Sequence, residues 1–247
     1  MDVLGIDIGG TGIKGAPVDV IAGKLTQERV KYPTPQPAKP DAVAAVLRRL
    51  VTGFGWSGPV GITFPGVVCN GEIRTAHNLD PEWVGVDGPD LFSKATGLHT
   101  VVVLNDADAA GCAEMKFGAG VGEGGVVVML TFGTGIGSAL FVKGVLAPNT
   151  EFGHIEIRGK DAEVRASERA KTLHDLSWGK WAGRVDEYLA HLEALVCPDL
   201  FIIGGGISRQ SDKFVPLLTG RLHARVVPAA LHNDAGIVGA ALAAAPS

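Results

Sequence analysis

The chain has 247 residues, which is enough for one large domain or for two units of roughly 120 residues each. Hydrophobic residues make up 46% of the chain and charged residues 19%, values typical of a globular protein with a substantial core. The formal net charge of -4 at pH 7 excludes a general attraction to nucleic acid or to a membrane surface.

Targeting and redox signals are also absent from the sequence. No apolar stretch reaches the ~18 residues of a membrane span, and the N-terminus carries no basic leader segment. Cys69, Cys112 and Cys197 are widely separated, so they indicate neither a disulfide framework nor a zinc cluster. This cysteine usage predicts a reducing, cytoplasmic compartment.

The N-terminal segment predicts three strands, at residues 2–9, 12–20 and 25–32. A turn rich in glycine and threonine, residues 9–12, separates the first two strands. Such a turn lets backbone N–H groups face a phosphate without obstruction by Cβ atoms. Asp7 interrupts the first apolar run, so it is either a solvated edge residue or a carboxylate directed at a metal ion.

Apolar spacing then predicts a helix that is capped by Asp41 and ends near residue 52. A buried strand at 59–64 follows, and Asn70-Gly71 predicts a tight hairpin within residues 67–75. Asn78 and Trp83 fall in a loop, where they either line a cleft or pack on the core.

A second buried strand, residues 101–104, ends at Asn105 and Asp106, and an alanine-rich helix follows to about residue 117. Asp106 has two interpretations. An aspartate at this position commonly caps the helix. The carboxyl end of a strand in an open α/β sheet is also where ligands bind, so Asp106 is a candidate for chemistry as well.

The turn near the N-terminus has a second copy. Gly133-Thr134-Gly135-Ile136 repeats Gly10-Thr11-Gly12-Ile13, and apolar runs at 125–132 and 136–146 flank it. Both copies predict strand, tight turn and strand. The repetition indicates a duplicated structural unit whose two turns hold a phosphate chain.

The C-terminal half carries further polar motifs. Glu151 and His154 flank Gly153, and they either face one pocket or form a surface hydrogen bond. Seven basic residues between 158 and 184 are either solvated helix faces or an anion-binding track. A helix ending before Pro198, a strand at 200–203 closed by Gly204-Gly205-Gly206, a helix at 211–222, a strand at 225–228 and a helix at 235–245 complete the prediction.

In this order the motifs resemble those of the ROK (repressor, open reading frame, kinase) sugar kinases. Asp7-Ile8-Gly9-Gly10-Thr11 resembles the first phosphate motif of that family, and residues 130–137 resemble the second. Residues 203–208 resemble the adenosine motif, and residues 235–240 resemble the helix that links the lobes. Leu104-Asn105-Asp106-Ala107 and Glu151-x-Gly153-His154 resemble the sugar-site motifs.

Within the family, the sequence of these motifs is most similar to that of the polyphosphate-using glucokinases. The segments that show this similarity are Thr63-Phe64-Pro65-Gly66-Val67-Val68, Asn105-Asp106-Ala107-Asp108-Ala109-Ala110, Pro148-Asn149-Thr150-Glu151-Phe152-Gly153-His154 and Pro198-Asp199-Leu200-Phe201. Typical ROK kinases follow the Glu-x-Gly-His motif with a cysteine-rich zinc element. This chain has no cysteine between Cys112 and Cys197, so no structural zinc is expected.

The resemblance implies an α/β protein with the two-lobed, actin-like (ribonuclease H-like) ATPase fold and a central cleft. It places residues 1–105 in a smaller lobe, completed by the C-terminal helix at 235–247, and residues 106–234 in a larger lobe. It also implies roles for individual residues. Asp106 is the catalytic base; the sugar ligands are Asn105, Glu151, His154, Glu163, Gly66 and Asn78; the phosphate ligands are Gly9, Gly10, Thr11, Gly12, Lys14, Thr131, Gly133, Thr134 and Gly135; the nucleotide ligands are Gly204, Gly205 and Gly206; the polyphosphate track contains Arg165 and Arg169; and Asp7 places Mg²⁺ through water.

The implied activity is a phosphotransferase reaction with an alcohol acceptor, from polyphosphate, and less efficiently ATP, to the 6-hydroxyl of glucose. Mannose is a further candidate acceptor, and a cytoplasmic homodimer without nucleic-acid or membrane partners is expected. The alternatives are a strictly ATP-dependent hexokinase, mannokinase or fructokinase, a polyphosphate phosphatase, and a sugar-responsive repressor. The phosphatase should lack the sugar motifs, and the repressor needs a helix-turn-helix, for which the sequence before Asp7 leaves no room.

Overall fold

The computed structural model describes residues 1–76, 79–218 and 222–246. The helices are α1 (Pro40–Gly53), α2 (Gly88–Thr96), α3 (Asp106–Phe117), α4 (Ala162–Ala166), α5 (Glu168–Leu173), α6 (Trp178–Val196) and α7 (Ala235–Ala243). The strands are β1 (Asp2–Ile8), β2 (Gly12–Asp19), β3 (Lys24–Leu25), β4 (Val30–Pro33), β5 (Val60–Phe64), β6 (Val68–Cys69), β7 (Glu72–Ile73), β8 (Val101–Asn105), β9 (Val126–Phe132), β10 (Ile136–Val142), β11 (Val145–Ala147), β12 (Glu156–Ile157), β13 (Lys160–Asp161), β14 (Leu200–Gly204) and β15 (Arg225–Pro228).

The chain divides into two compact units. The first contains Met1–Ala113 and Asp234–Ser247, and the second contains Glu114–Asn233. Each unit has its own apolar core beside its own sheet. The division of the chain into a smaller and a larger lobe, with a boundary after residue 105, stays a prediction. In the part of the chain that the structure describes, no helix combines the length and apolarity that a membrane crossing requires.

Both glycine–threonine turns connect antiparallel strands, as predicted. In the first unit β1 pairs with β2, and the closing pair is Ile8 opposite Ile13. In the second unit β9 pairs with β10, and the closing pair is Phe132 opposite Ile136. The pattern of strand, tight turn and strand is therefore confirmed at both places.

The two sheets share one topology. The first has the order β3-β2-β1-β5-β8, with β4 also pairing with β2, and the second has the order β11-β10-β9-β14-β15. In each sheet the strand before the turn continues into a parallel pair, β1 with β5 and β9 with β14. The matching order confirms the duplication that the repeated turn sequence indicates.

Several local predictions are wrong at their boundaries. The strand expected at 25–32 is two short strands, β3 and β4, because the N–H of Thr26 bonds to Pro17 and the intervening residues leave the sheet. Lys39, and not Asp41, is the N-cap of α1, since Pro40 occupies the first helical turn.

The helix expected at 211–222 is also wrong within the described residues. Residues Gly206–Lys213 and Val215–Leu217 form short 3₁₀ helices instead. Pro216 has no N–H group to continue an α-helical hydrogen-bond ladder, which accounts for the break.

Trp83 belongs to the core. It is fully buried, and its indole N–H donates to the carbonyl of Ala38 at 2.7 Å. Its ring lies 4.9 Å from that of Phe64 and 5.9 Å from that of Phe92, between centroids. The structure thus favours the packing alternative for this residue.

Helix α7 packs on β1 and β5 of the first unit through glycines. A Cβ atom at Gly61 of β5 would overlap the carbonyl of Ala240, and one at Gly5 of β1 would overlap the carbonyl of Ile237. The helix backbone therefore lies directly against the sheet, at a distance that no larger residue allows.

This contact predicts a stability effect. Gly61→Ala should destabilise the fold by about 1–3 kcal/mol, because the new methyl group must displace the helix backbone. Gly183→Ala is the matched control, since Gly183 lies exposed in α6 with open space where a Cβ would go. The control should gain about 0.5–1 kcal/mol from helix propensity. Chemical denaturation measures both changes, and equal midpoints for the two variants would contradict the packing argument.

Candidate active site

The carboxyl ends of three adjacent parallel strands, β1, β5 and β8, carry the polar residues of the first unit. Asp7 is in register with Thr63 across β1 and β5, and Phe64 is in register with Asn105 across β5 and β8. Ligands of open α/β sheets bind beyond this edge. The predicted residues Asp7, Asn105 and Asp106 are thus brought to one edge of one sheet.

Asp7 is held by two neighbours. One carboxylate oxygen lies 2.9 Å from Nζ of Lys14, which faces it across the β1–β2 hairpin. The other accepts a hydrogen bond from the hydroxyl of Thr63 at 2.7 Å. Gly236, near the start of α7, lies close enough that a Cβ there would meet the Asp7 carboxylate at 2.9 Å. Asp7 is therefore not a solvated edge residue.

The surroundings of Asp7 fit a metal ion that is bound mainly by the phosphates of a substrate. Among the described residues there is no group of three or more His, Cys, Asp or Glu arranged to hold a metal ion. Mg²⁺ is commonly bound by one or two carboxylates together with substrate phosphates and several waters. Asp7 suits that mode as a single carboxylate.

Two residues behind the first turn, Lys31 and Thr34, are not evident from the sequence. Thr34 is buried, and its hydroxyl donates to the carbonyl of Gly9 at 2.5 Å. Lys31 is opposite Lys14 in the β2–β4 pair, and its side chain lies against Gly12. These residues lie in a proline-rich segment whose pairing with β2 no local pattern predicts.

Asn105 and not Asp106 caps α3. The Asn105 side-chain oxygen accepts from the N–H groups of Ala107 and Asp108 at 2.8 and 3.0 Å, and its amide donates to the carbonyl of Gly66 at 3.1 Å. Asp106 is the first residue of the helix, half-buried, and accepts from the N–H of Ala107 at 2.8 Å. The capping interpretation of Asp106 is therefore wrong, and Gly66, another predicted sugar ligand, is hydrogen-bonded to Asn105. Asn78 lies outside the described residues.

The second turn lies beside the glycine triplet. Thr131 of β9 is paired with Gly204 of β14. Gly205 has φ of +82°, and a Cβ there would overlap the carbonyl of Phe132, so glycine is required for both reasons. The predicted phosphate and nucleotide turns of the second unit are thus adjacent in space.

The predicted sugar ligands of the second unit surround Ile136, the residue after the second turn. The N–H of Ile136 donates to the Glu163 carboxylate at 3.1 Å. A Cβ at Gly153 would overlap the carbonyl of Ile136, which explains the glycine between Glu151 and His154. Glu151, His154 and Glu163 therefore gather at one turn.

Asp161 positions His154. Nδ1 of His154 lies 2.9 Å from an Asp161 oxygen, and Nε2 lies 3.7 Å from Glu151. An ionised carboxylate only accepts hydrogen bonds, so Nδ1 carries the proton and Nε2 of the neutral ring is an acceptor. The hydrogen bond to Asp161, together with the nearby charges of Glu163 and Glu151, raises the pKa of His154 above its ordinary value. Asp161 was missed because the β12–β13 pairing, which brings it to His154, is only two residues long on each side.

The predicted polyphosphate arginines differ in their surroundings. Arg165 lies 3.0 Å from the Glu187 carboxylate, which Arg158 also contacts at 2.6 Å. The hydrogen bond from Arg158, with a further one from Arg165, lowers the pKa of Glu187. Arg169 is exposed, and its backbone N–H donates to the carbonyl of Gly133 at 3.0 Å. Arg165 therefore shares a single carboxylate with Arg158, which compensates its charge only in part.

The geometry around His154 predicts a pH effect. Asp161→Asn should lower the pKa of His154 towards about 6.5, because the carboxylate favours the protonated ring. In the unmodified protein the stabilisation from this pair is complete below the unfolded pKa and is lost as pH rises through the raised folded value. NMR titration of the imidazole measures the shift. Glu156→Gln, an exposed carboxylate in the same hairpin, is the control and should leave the titration unchanged. An unaltered pKa in Asp161→Asn would contradict the assignment.

Comparison with known proteins identifies the family of the chain. The ROK family model matches residues 3–172. The chain is 55% identical to the polyphosphate glucokinase of Mycobacterium tuberculosis (strain CDC 1551 / Oshkosh), over 97% of this chain and 89% of that protein. The crystal structure of the inorganic polyphosphate/ATP-glucomannokinase from Arthrobacter sp. strain KM matches with a TM-score of 0.93 and 47% identity, over 98% of this chain and 97% of that one.

A ROK glucokinase from Streptomyces griseus, solved in complex with glucose and AMPPNP, matches with a TM-score of 0.83 and 29% identity, over 99% of both chains. These structures confirm the predicted α/β, actin-like ATPase fold class. Because the family model covers more than half of the residues and the mycobacterial relative covers nearly all of them, the chain belongs to the ROK family.

Proposed function

We propose that this chain is a polyphosphate-dependent glucokinase, which transfers the terminal phosphoryl group of inorganic polyphosphate to the 6-hydroxyl of glucose. The observation that carries the proposal is the near full-length similarity to the mycobacterial polyphosphate glucokinase. ATP as a second donor and mannose as a second acceptor are supported by the name of the Arthrobacter relative. A strictly ATP-dependent hexokinase is the alternative, supported by the AMPPNP complex of the Streptomyces griseus relative.

Asp106 takes the catalytic role. Its carboxylate accepts the proton of the 6-hydroxyl as that oxygen attacks the terminal phosphorus in line. The bond from phosphorus to the bridging oxygen breaks, and the shortened polyphosphate leaves with the electron pair. The position of Asp106 as the first residue of α3, directly after the Asn105 cap, fixes its backbone and supports this assignment.

Recognition of the sugar hydroxyls is assigned to the residues of the sugar motifs, since orientation of the acceptor supplies much of the rate of such reactions. Nε2 of His154, the ring nitrogen opposite Asp161, is assigned to a hydrogen bond with a sugar hydroxyl, while Glu151 and Glu163 are acceptors. The full set of proposed sugar ligands is Asn105, Glu151, His154, Glu163, Gly66 and Asn78.

Binding of the donor phosphates is assigned to the two glycine–threonine turns, whose N–H groups suit anionic oxygens. The proposed ligands are Gly9, Gly10, Thr11, Gly12 and Lys14, and Thr131, Gly133, Thr134 and Gly135, with Gly204, Gly205 and Gly206 for a nucleotide. Phosphoryl transfer depends mainly on position and electrostatic stabilisation, which these groups supply.

The kinase relatives imply divalent-metal-dependent phosphoryl transfer, and we assign the ion as Mg²⁺. Asp7 would hold it, through water, and the ion would offset the charge of the donor phosphates. The contacts of the Asp7 carboxylate with Lys14 and Thr63 fix its position.

We also propose that the protein is a cytoplasmic homodimer without nucleic-acid or membrane partners. The three cysteines are unpaired, as is usual in a reducing compartment, and the net charge is -4. Light scattering on the purified protein tests the dimer, and a monomer mass would contradict it.

The activity is tested with a matrix of substrates. Purified protein is incubated with glucose or mannose and, separately, with polyphosphate or ATP, and sugar 6-phosphate is measured. Glucose with polyphosphate should give product, chelation with EDTA should abolish it, and added Mg²⁺ should restore it. Product with ATP alone would favour the ATP-dependent hexokinase.

The base assignment makes a separate prediction. Asp106→Asn should lower kcat by roughly 10²–10⁴-fold, because the amide cannot accept the proton, while glucose binding is largely retained. Steady-state kinetics and a glucose titration measure the two quantities. Asp41→Asn, an exposed acid in the first turn of α1, is the control and should keep full activity. Near-normal turnover in Asp106→Asn would remove the assignment.

A further inference from the structure

Two lysines converge on one tryptophan in the second unit. Nζ of Lys171 lies 4.2 Å from the centroid of the Trp178 ring, and Nζ of Lys213 lies 5.5 Å from it. The lysines come from different elements, α5 and the 3₁₀ helix that ends at Lys213. Two ammonium groups at one ring repel each other, and the negative face of the ring offsets that repulsion only in part.

The tryptophan ring is already packed against other aromatic rings. The Phe214 ring stacks on it with centroids 6.2 Å apart, and the Trp181 ring meets it edge-on at 6.0 Å. Trp181 and Phe214 are fully buried and anchor the half-buried Trp178. The ring therefore serves as a support for the lysines and not as an open platform for an aromatic base. What this cluster presents to a ligand is therefore the positive charge of the two ammonium groups.

Both lysine-bearing elements begin at the glycine turns assigned to the donor. At the start of α5 the N–H of Arg169 donates to the carbonyl of Gly133, and Lys171 follows two residues later. The 3₁₀ helix that ends at Lys213 begins at Gly206. Each element thus leads from a donor turn towards Trp178.

These lysines differ from the nearby arginines in whether a carboxylate is paired with their charge. Arg158 and Arg165 share the Glu187 carboxylate. Within residues 1–76, 79–218 and 222–246, neither Lys171 nor Lys213 forms an ion pair, although Lys213 donates to the Gln210 side chain at 3.0 Å. The carboxylate that Lys171 influences is Glu168, whose burial raises its pKa.

We infer that Lys171 and Lys213, supported by Trp178, bind the phosphates of a polyanionic donor beyond its reacting end. This inference rests on the proposed function. ATP has no phosphates beyond its reacting triphosphate, whereas a long polyphosphate continues and requires additional cations. The site therefore distinguishes the two donors by chain length.

The test compares two double variants. Lys171→Gln/Lys213→Gln should raise the KM for long polyphosphate by about tenfold at low salt, as expected for two exposed charge contacts. The KM values for ATP and glucose, and kcat, should change less than about twofold. Raising the salt concentration should narrow the difference from the unmodified protein, because the lost contacts are screened.

Lys24→Gln/Lys143→Gln is the matched control. It removes the same charge from exposed positions in β3 and in the turn after β10, and should leave the KM for polyphosphate unchanged. Equal losses in the two double variants would overturn the site in favour of a net-charge effect. Equal losses for ATP and polyphosphate in Lys171→Gln/Lys213→Gln would also overturn it.

Direct binding separates this inference from the proposed activity. Equilibrium binding of labelled long polyphosphate, measured without glucose, requires no chemistry. If the unmodified protein binds polyphosphate and Lys171→Gln/Lys213→Gln binds it equally well, the site is wrong while the proposed function stands. If the unmodified protein neither binds nor uses polyphosphate, the proposed function fails and the inference falls with it.

Discussion

Close approach of backbone to backbone, which only glycine permits, is the constraint on which this structure depends. Gly61 lets the last helix lie directly on the first sheet. Gly205 and Gly153 do the same in the second unit, where each accommodates a carbonyl group from the neighbourhood of the second turn. A methyl group at any of these positions would push apart elements that carry candidate functional side chains. The glycine content of the chain is therefore a structural requirement at specific contacts.

Basic residues of this chain differ in whether a carboxylate lies beside them. Lys14 is matched by Asp7 across one hairpin, and Arg165 by Glu187 on α6. Lys171 and Lys213 are held instead by an aromatic ring, which attracts a cation without neutralising it. A cation held by an aromatic ring retains most of its attraction for an incoming anion. Basic residues that look equivalent in the sequence thus divide into two groups.

The acceptor side of the proposed reaction shows how one neighbour defines the chemistry of another. Asp161 fixes the proton of His154 on Nδ1, so the opposite nitrogen is an acceptor. Asn105 uses its side chain to cap α3 and to hold Gly66, which leaves Asp106 outside the cap. In both cases a neighbouring residue sets the hydrogen bonding of the candidate group.

Local patterns were enough to predict both glycine–threonine hairpins, the helix that ends before Pro198, and candidate functional positions at strand ends. Each of these follows from hydrophobic period, turn chemistry or an N-cap, all of which act over a few neighbouring residues. The repeated turn sequence by itself also determined that the fold is duplicated. The long helix expected near residue 211 failed because a proline interrupts that segment.

Only the tertiary structure decided the partners of those candidate residues. Thr63 meets Asp7 through the register of two parallel strands that are more than fifty residues apart in sequence. Asp161 meets His154 through a hairpin too short to predict. Strand register and side-chain packing are set by the whole folded unit and not by any local stretch. For that reason the sequence by itself determined the kind and place of the candidate functional groups, while the fold decided their orientation and neighbours.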